Sequence, residues 1–379
     1  MATNPTDHTG LLAEAEAATR DFFDLPAASL EHLPGGRVNE TFLVTAAGSR
    51  FILQRLNDFF QGDEALGLNW RLVQEAIESR VGSRKTLMPP IFPDKEGRFL
   101  ASGPHLPGHW RLTGFLEGRP APRTRPSARA AARLLGSLHC CLNTPAPLPL
   151  RPLPEGEFTN QRLTRPEDFE ALTTTYRRHP HLREVRALIA AGAEAARQLP
   201  FCPNYLAVFS LHDVVTHGDP KADNFLAAPS GEEARALLDW DSVGYGHVLV
   251  DLAEMLRSWG PQPRAGDPAV AFGNLAAVVE GYAETGLELT SGELAVLPPV
   301  LRGLILNLAR RYLTDALAEV YFKWDRQAYP SLYLQNRARA ETLLALADYL
   351  WHREITLIHL FETAYARGRR LRGAIHDII

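Results

Sequence analysis

Apolar positions along the chain follow two periods, and the change from one to the other marks its organisation. Leu11, Leu12, Ala15 and Ala18 recur at helical spacing and predict a helix over Thr9–Leu25, ending near Asp21-Phe22-Phe23. Pro34-Gly35-Gly36 breaks the chain. Strand-like runs follow at Val38–Val44 and Phe51–Leu56, joined by a turn at Ala46-Ala47-Gly48-Ser49. Asp63–Val81 returns to helical spacing. Ile91-Phe92-Pro93 and Trp110–Thr113 predict further short strands around a turn at Asp94–Arg98, and Gly114–Pro120 is a break. Beyond it the texture is largely helical, starting with the Ala-rich Pro126–Leu142. Five prolines in Pro145–Pro154 predict an extended connector. Two helices are expected within Arg165–Leu199, parted at His179-Pro180. Phe209–Leu238 reads as loop and short strands, with Pro229-Ser230-Gly231 as a hairpin turn. Helical patterns then run to about Ile358, interrupted at Trp259–Asp267 and at Pro298-Pro299. The texture changes at about Glu117. We therefore expect an α+β protein of two lobes, a small strand-rich one over residues 1–116 and a large helical one over residues 117–379.

Composition agrees with this division. A chain of 379 residues exceeds one small core, and 45% hydrophobic with 22% charged residues is ordinary for a globular protein. Forty basic against 44 acidic residues leave a formal charge of −4. That gives no bulk attraction to nucleic acid or to an anionic membrane. Cys140, Cys141 and Cys202 make neither a disulfide framework nor a zinc spacing, which points to a reducing cytoplasm. Met1–Asp7 lacks a basic-then-apolar signal pattern, and Arg302 interrupts the most apolar stretch, Ala295–Ala309.

The chemistry concentrates in His217-Gly218-Asp219-Pro220-Lys221-Ala222-Asp223-Asn224, followed by Leu237-Leu238-Asp239-Trp240-Asp241. An Asp with an Asn five residues on, and a further Asp fifteen beyond that, is the polar skeleton of a phosphoryl-transfer site. Asp219 is the candidate base for an acceptor hydroxyl. Lys221, two residues later in an extended loop, shares its side and can reach a transferring phosphoryl group. Asn224 and Asp239 offer the hard oxygen ligands that Mg²⁺ takes alongside phosphate and water. Asp241 shares the face of Asp239, either for a second metal or as a brace. Asp-rich loops also arise as turn caps, but here Lys, Asn and a strand-borne Asp-Trp-Asp accompany the Asp. His217 is expected to hold the loop rather than transfer a proton. No Walker A pattern occurs in the chain.

These residues resemble the aminoglycoside phosphotransferase and choline kinase superfamily, whose fold is protein-kinase-like. Gly35–Val44, Phe51–Asn57, Trp110–Gly118, Arg311–Leu317 and Val320–Lys323 are similar to bacterial N-acetylhexosamine 1-kinases. The resemblance implies an ATP- and Mg²⁺-dependent kinase acting on a small-molecule acceptor. Gly35, Gly36, Arg37, Asn39 and Thr41 would form the loop over the ATP phosphates, and Phe115, Leu116 and Glu117 a hinge whose backbone pairs with adenine. Asp251 would be a structural carboxylate beneath the catalytic loop, and Arg311 and Tyr321 would contact a sugar.

The superfamily usually carries a phosphate-pairing Lys on the third strand. This chain has Gln54-Arg55, as the sugar-kinase subgroup does, and neighbours on a strand face opposite ways. That subgroup tends to have Asn where this chain has Gly218, and Leu-Asp-Thr where it has Trp240-Asp241-Ser242. Glu75 is expected either to pair with the strand cation or to be a solvated helix charge. Trp324, Tyr329 and Tyr333 are expected to pack, and Arg367–Arg372 to be a solvated helix end. Two alternatives accompany the sugar kinase. One is an amino-alcohol, homoserine or aminoglycoside kinase using Glu254 and Asp315 against a cationic acceptor. The other is an inactive nucleotide-binding module.

Overall fold

The computed structural model describes residues 8–25, 29–33, 38–57, 64–82, 86–153, 163–199, 214–260 and 272–372. The first helical stripe finds its partner on a sheet. Helix α1 (His8–Asp21) buries Leu11, Ala15 and Ala18 with Phe42, Val44, Leu53, Trp110 and Leu112. Those strand residues belong to β2 (Glu40–Ala46), β3 (Ser49–Leu56) and β6 (Leu106–Gly114). With β1 (Ser29–His32), β4 (Ile91–Phe92) and β5 (Ala101–Gly103) they form an antiparallel sheet of order β1-β2-β3-β6-β4, with β5 also on β6. The predicted turn between β2 and β3 is the two-residue kind. Ala47 and Gly48 both take positive φ, 49° and 76°, as the right-handed twist of a hairpin requires.

Side chains alternate across a sheet, so its other face carries a second set. Thr41, Gln54 and Arg111 stand opposite one another in register across β2, β3 and β6. On that side lies α2 (Ala65–Val81). Its Trp70, Val73 and Ile77 join a large core with Ala128, Leu135 and Leu138 of α3 (Arg125–Leu142). Although α2 precedes residue 117, its buried face is continuous with the helical part.

The chain passes from sheet to helices between Gly114 and Arg119. β7 (Arg119–Pro120) already pairs with β9 (Phe225–Ala227), which pairs in turn with β10 (Ala234–Leu237). A second small ladder joins β8 (Val214–Thr216) to β11 (Gly244–Gly246). The helices are α4 (Pro166–Thr175), α5 (Leu182–Arg197), α6 (Val248–Trp259), α7 (Phe272–Thr285), α8 (Ser291–Ala318), α9 (Leu332–Trp351) and α10 (Glu354–Arg372). α7 packs between α3 and α10, and α8 against α9.

The expected interruption at Pro298-Pro299 does not occur: α8 runs through both prolines. An interior proline costs a helix about 3 kcal/mol, but Leu297, Val300, Leu301, Leu304 and Ile305 are buried around this pair, and their packing overrides the local preference. α8 is also long and apolar enough to cross a membrane, yet 83% of its most apolar stretch is buried inside the protein. It is a core helix.

Candidate active site

The catalytic loop is built on a buried carboxylate. Asp251, fully buried on α6, accepts hydrogen bonds from the backbone N–H of His217 (2.7 Å) and of Gly218 (2.8 Å). Its third partner is His139 Nε2 of α3 at 2.9 Å. Drawing two successive amides onto one carboxylate bends the chain, and Gly218 takes φ +83°. That region is strained for most L-residues but open to Gly and, with small penalty, to Asn.

His217 is buried. Its Nε2–H donates to Leu238 O (2.9 Å), and Nδ1 accepts from Asp219 N (3.2 Å). Both ring nitrogens are thus occupied with holding the loop, and burial lowers the ring's pKa below its ordinary value.

Four side chains meet at one end of the β9–β10 hairpin. Lys221 Nζ pairs with Asp219 and lies 3.9 Å from Asp239 Oδ2. Asn224 Nδ2 donates to Asp219 O at 2.8 Å, which leaves its amide oxygen as the group it offers to a cation. Leu238 N donates to Asn224 O at 2.7 Å and draws the two segments together. Asp239 itself has φ 64° and ψ 66°, a left-handed backbone on a non-glycine residue. Such outliers persist where surrounding contacts over-determine them, and they cluster at functional sites. Desolvation, with the Asp241 charge added, pushes the Asp239 carboxyl up to about 7 against the pull of Lys221. Burial would lower Lys221, but Asp219 and Asp239 outweigh it and hold the ammonium above the usual lysine range. A crowded carboxylate beside an amide oxygen is an electrostatic and chemical fit for Mg²⁺.

The structure separates the residues expected at the nucleotide. Gly35, Gly36 and Arg37 lie outside the described residues. Thr41 and Gln54 stand in register on the sheet face towards α2, where Gln54 Oε1 accepts from Arg111 Nη2 at 2.7 Å. Arg55 turns to the other face and pairs with Glu14 of α1 at 2.8 Å, so of the Gln54-Arg55 pair it is Gln54 that shares a face with Thr41 and Arg111. Asn39 Oδ1 accepts from Asn57 N, and its carbonyl accepts from Lys323 Nζ at 2.6 Å. Lys323 also bonds Glu40 at 2.9 Å, tying the start of β2 to the helical part. In the hinge segment, Phe115 N donates to Arg50 O (3.2 Å), the Arg50 guanidinium lies over the Phe115 ring, and Glu117 pairs with Arg50. Glu75 pairs with Arg71 one helical turn away and is a solvated helix charge.

Arg311 of α8 and Tyr321, the expected acceptor contacts, are both buried, and Arg311 Nη2 donates to Tyr321 OH at 3.2 Å. Burial raises the Tyr321 phenol above its ordinary value; the charges of Arg311, Asp219 and Lys221 also act on it. The pair therefore shares the electrostatic neighbourhood of the catalytic loop. Asp315 is committed to structure: it is fully buried and accepts from the N–H of Val320, Tyr321 and Phe322 and from Asn336 Nδ2, at 2.8–3.0 Å. Glu254 is neutralised by Arg257 three residues on. Tyr333 is buried, stacks on His181 and bonds Glu184, as expected of a packing residue, whereas the Trp324 ring is exposed beneath the Arg326 guanidinium and its Nε1 bonds Tyr329 O. Arg367 and Arg369 face Glu280 and Glu288, as a helix end does.

Two functional features escaped the sequence: the Lys323 tie, and the Arg111–Asp241 ion pair. Arg111 has both amino nitrogens on Asp241, one at 3.1 Å, the contact that a brace would make. The overlooked signal was a lone Arg between Trp110 and Leu112 in a central strand, where a buried charge demands a partner.

Fold and constellation together define a kinase-like phosphotransferase. Residues 29–287 match the phosphotransferase enzyme family (APH), and the chain belongs to that family. Among solved structures it is similar to a microcompartment-associated aminopropanol kinase (TM-score 0.59, 19% identity, covering 92% of this chain and 99% of that one). It is also similar to the amicoumacin kinase hAmiN in complex with AMP-PNP, Ca²⁺ and Ami (0.55, 16%, 88% and 93%). A third is a choline/ethanolamine kinase family protein from Mesorhizobium loti (0.54, 19%, 95% and 99%). At these identities the likeness is one of fold.

Proposed function

We propose that the protein is an ATP- and Mg²⁺-dependent kinase that phosphorylates a sugar hydroxyl, the anomeric hydroxyl of an N-acetylhexosamine or a related hexose. Asp219 accepts the hydroxyl proton as the acceptor oxygen bonds to the γ-phosphorus. The bond from that phosphorus to the β–γ bridging oxygen breaks, and ADP leaves. Lys221 orients Asp219 and opposes charge on the transferring group. Asn224 and Asp239 would hold Mg²⁺, which neutralises phosphate charge when bound. Thr41 and Gln54 would face the nucleotide. The observation that carries the reading is the convergence of Asp219, Lys221, Asn224 and Asp239 at one hairpin end. The amicoumacin kinase complex, with an adenine nucleotide and a divalent cation, supports the cofactor assignment. Cys140 and Cys141 as free thiols suit the reducing cytoplasm, where ATP is supplied.

The acceptor assignment rests on the resemblance of Arg311–Leu317 and Val320–Lys323 and on charge. A cationic acceptor wants carboxylates near Asp219, and both candidates, Glu254 and Asp315, are already engaged. An amino-alcohol or aminoglycoside acceptor is the second reading, favoured by the aminopropanol and choline/ethanolamine kinase neighbours. A screen of ATP with hexoses, N-acetylhexosamines, amino alcohols and aminoglycosides, with the product identified by ³¹P NMR, separates them. A sugar 1-phosphate supports the first reading. An amino-alcohol or aminoglycoside phosphate supports the second and refutes the first. Nucleotide binding without transfer to any acceptor would instead fit an inactive module.

A further inference from the structure

In a protein-kinase site a lysine on the third strand pairs with a glutamate of the neighbouring helix and with the ATP phosphates. Here that strand position is Gln54, and Glu75 on α2 is engaged by Arg71. A different residue spans the gap. Arg111 is 1% exposed. Its amino nitrogens meet both oxygens of Asp241, and one also donates to Gln54. Its guanidinium lies over the Trp70 ring of α2 at 4.6 Å. One side chain on β6 thus touches β3, α2 and the turn that begins at Asp239. Among the described residues its buried Nε has no hydrogen-bond partner. A buried ion pair with an unsatisfied donor is a poor way to gain stability, because an apolar pair of similar size would often serve as well. What this pair offers is a fixed position.

We propose that Arg111 is a positioning residue: through Asp241 it holds the Asp239–Ser242 turn, with Asp239 in its left-handed backbone, and so fixes where the metal-binding carboxylate points relative to the nucleotide-carrying sheet. This rests on the kinase reading above. Asp241 is two residues from Asp239 and the turn between them is a single 3-10 turn, so a shift of one carboxylate moves the other. Lysine would keep the charge but lose the planar fork that grips two oxygens at once.

The test is Mn²⁺ binding in the presence of ADP, read by electron paramagnetic resonance, alongside melting temperature. The variants are Arg111→Met/Asp241→Leu, Arg111→Lys and Asp241→Asn. The double variant is expected to melt close to the wild type while Mn²⁺ affinity falls by about 10- to 100-fold, the usual loss when a ligand's supporting partner is removed. Arg111→Lys should fall between. Wild-type Mn²⁺ affinity in a folded double variant overturns the proposal. If that variant does not fold, near-isosteric Asp241→Asn carries the same test: weakened Mn²⁺ binding is expected, and unchanged binding overturns it. A wild-type protein that binds no Mn²⁺·ADP would refute the kinase reading itself, a result distinct from either.

Discussion

Asp251→Ala removes a carboxylate from beneath the catalytic loop without altering any residue assigned to nucleotide, metal or acceptor. Asp251 is fully buried and accepts from three donors: His217 N, Gly218 N and His139 Nε2. Each buried donor left without a partner costs roughly 1–3 kcal/mol. Even at the low end the three sum to about 3 kcal/mol. For domains of a few hundred residues, 1 kcal/mol moves the melting temperature by about 2–4 °C, so the variant should melt about 6–12 °C below the wild type. Activity should fall as well, because a displacement of about 1 Å at the reacting groups costs on the order of 100-fold. Asp251→Asn keeps one acceptor oxygen but turns an NH₂ on a donor, and should lie between. Thermal unfolding by circular dichroism, with Asp219→Asn as a control that spares the scaffold, reads the effect. An Asp251→Ala protein melting within about 1 °C of the wild type, a fraction of 1 kcal/mol, would show that Asp251 does not hold the loop.

Three further outcomes are expected. Gly218→Ala should destabilise by about 1–2 kcal/mol, because alanine resists the left-handed backbone there, and Gly218→Asn by less; equal melting temperatures would contradict this. Gln54→Ala should raise the KM for ATP while Arg55→Ala, whose side chain pairs with Glu14 on the opposite face, leaves it unchanged; the reverse pattern would overturn the face assignment. His217 has a folded pKa below its ordinary 6.5, so below that pH the unfolded chain binds a proton that the folded chain does not. The wild type should therefore lose stability as pH falls from about 7 to 5, and His217→Gln should lose less over the same range.

Much of this was legible in the residues because it is local. The Ala47-Gly48 turn and the first helix are set by neighbours a few positions apart, and Asp219, Asn224 and Asp239 share one short stretch of chain. The strand alternation that separates Gln54 from Arg55 was visible too, but not which face α1 would cover. The passage of α8 through Pro298-Pro299 was hidden because distant packing decided it. The Arg111–Asp241 pair joins residues 130 positions apart, and the Lys323–Asn39 bond residues 284 apart. No periodicity reports contacts of that range. The acidic residues considered for a cationic acceptor show the same limit, since only the fold reveals that Asp315 holds three backbone amides and that Glu254 already faces Arg257.

Asp219, as the proposed base of a phosphoryl transfer from ATP, is the residue on which the proposed function turns. Comparing wild type and Asp219→Asn for nucleotide binding by calorimetry, and for single-turnover transfer to the best acceptor, tests it directly. The variant is expected to bind Mg²⁺·ATP about as the wild type does and to transfer at least about 100-fold more slowly, the scale of a lost general base. Undiminished transfer by the variant would contradict that role.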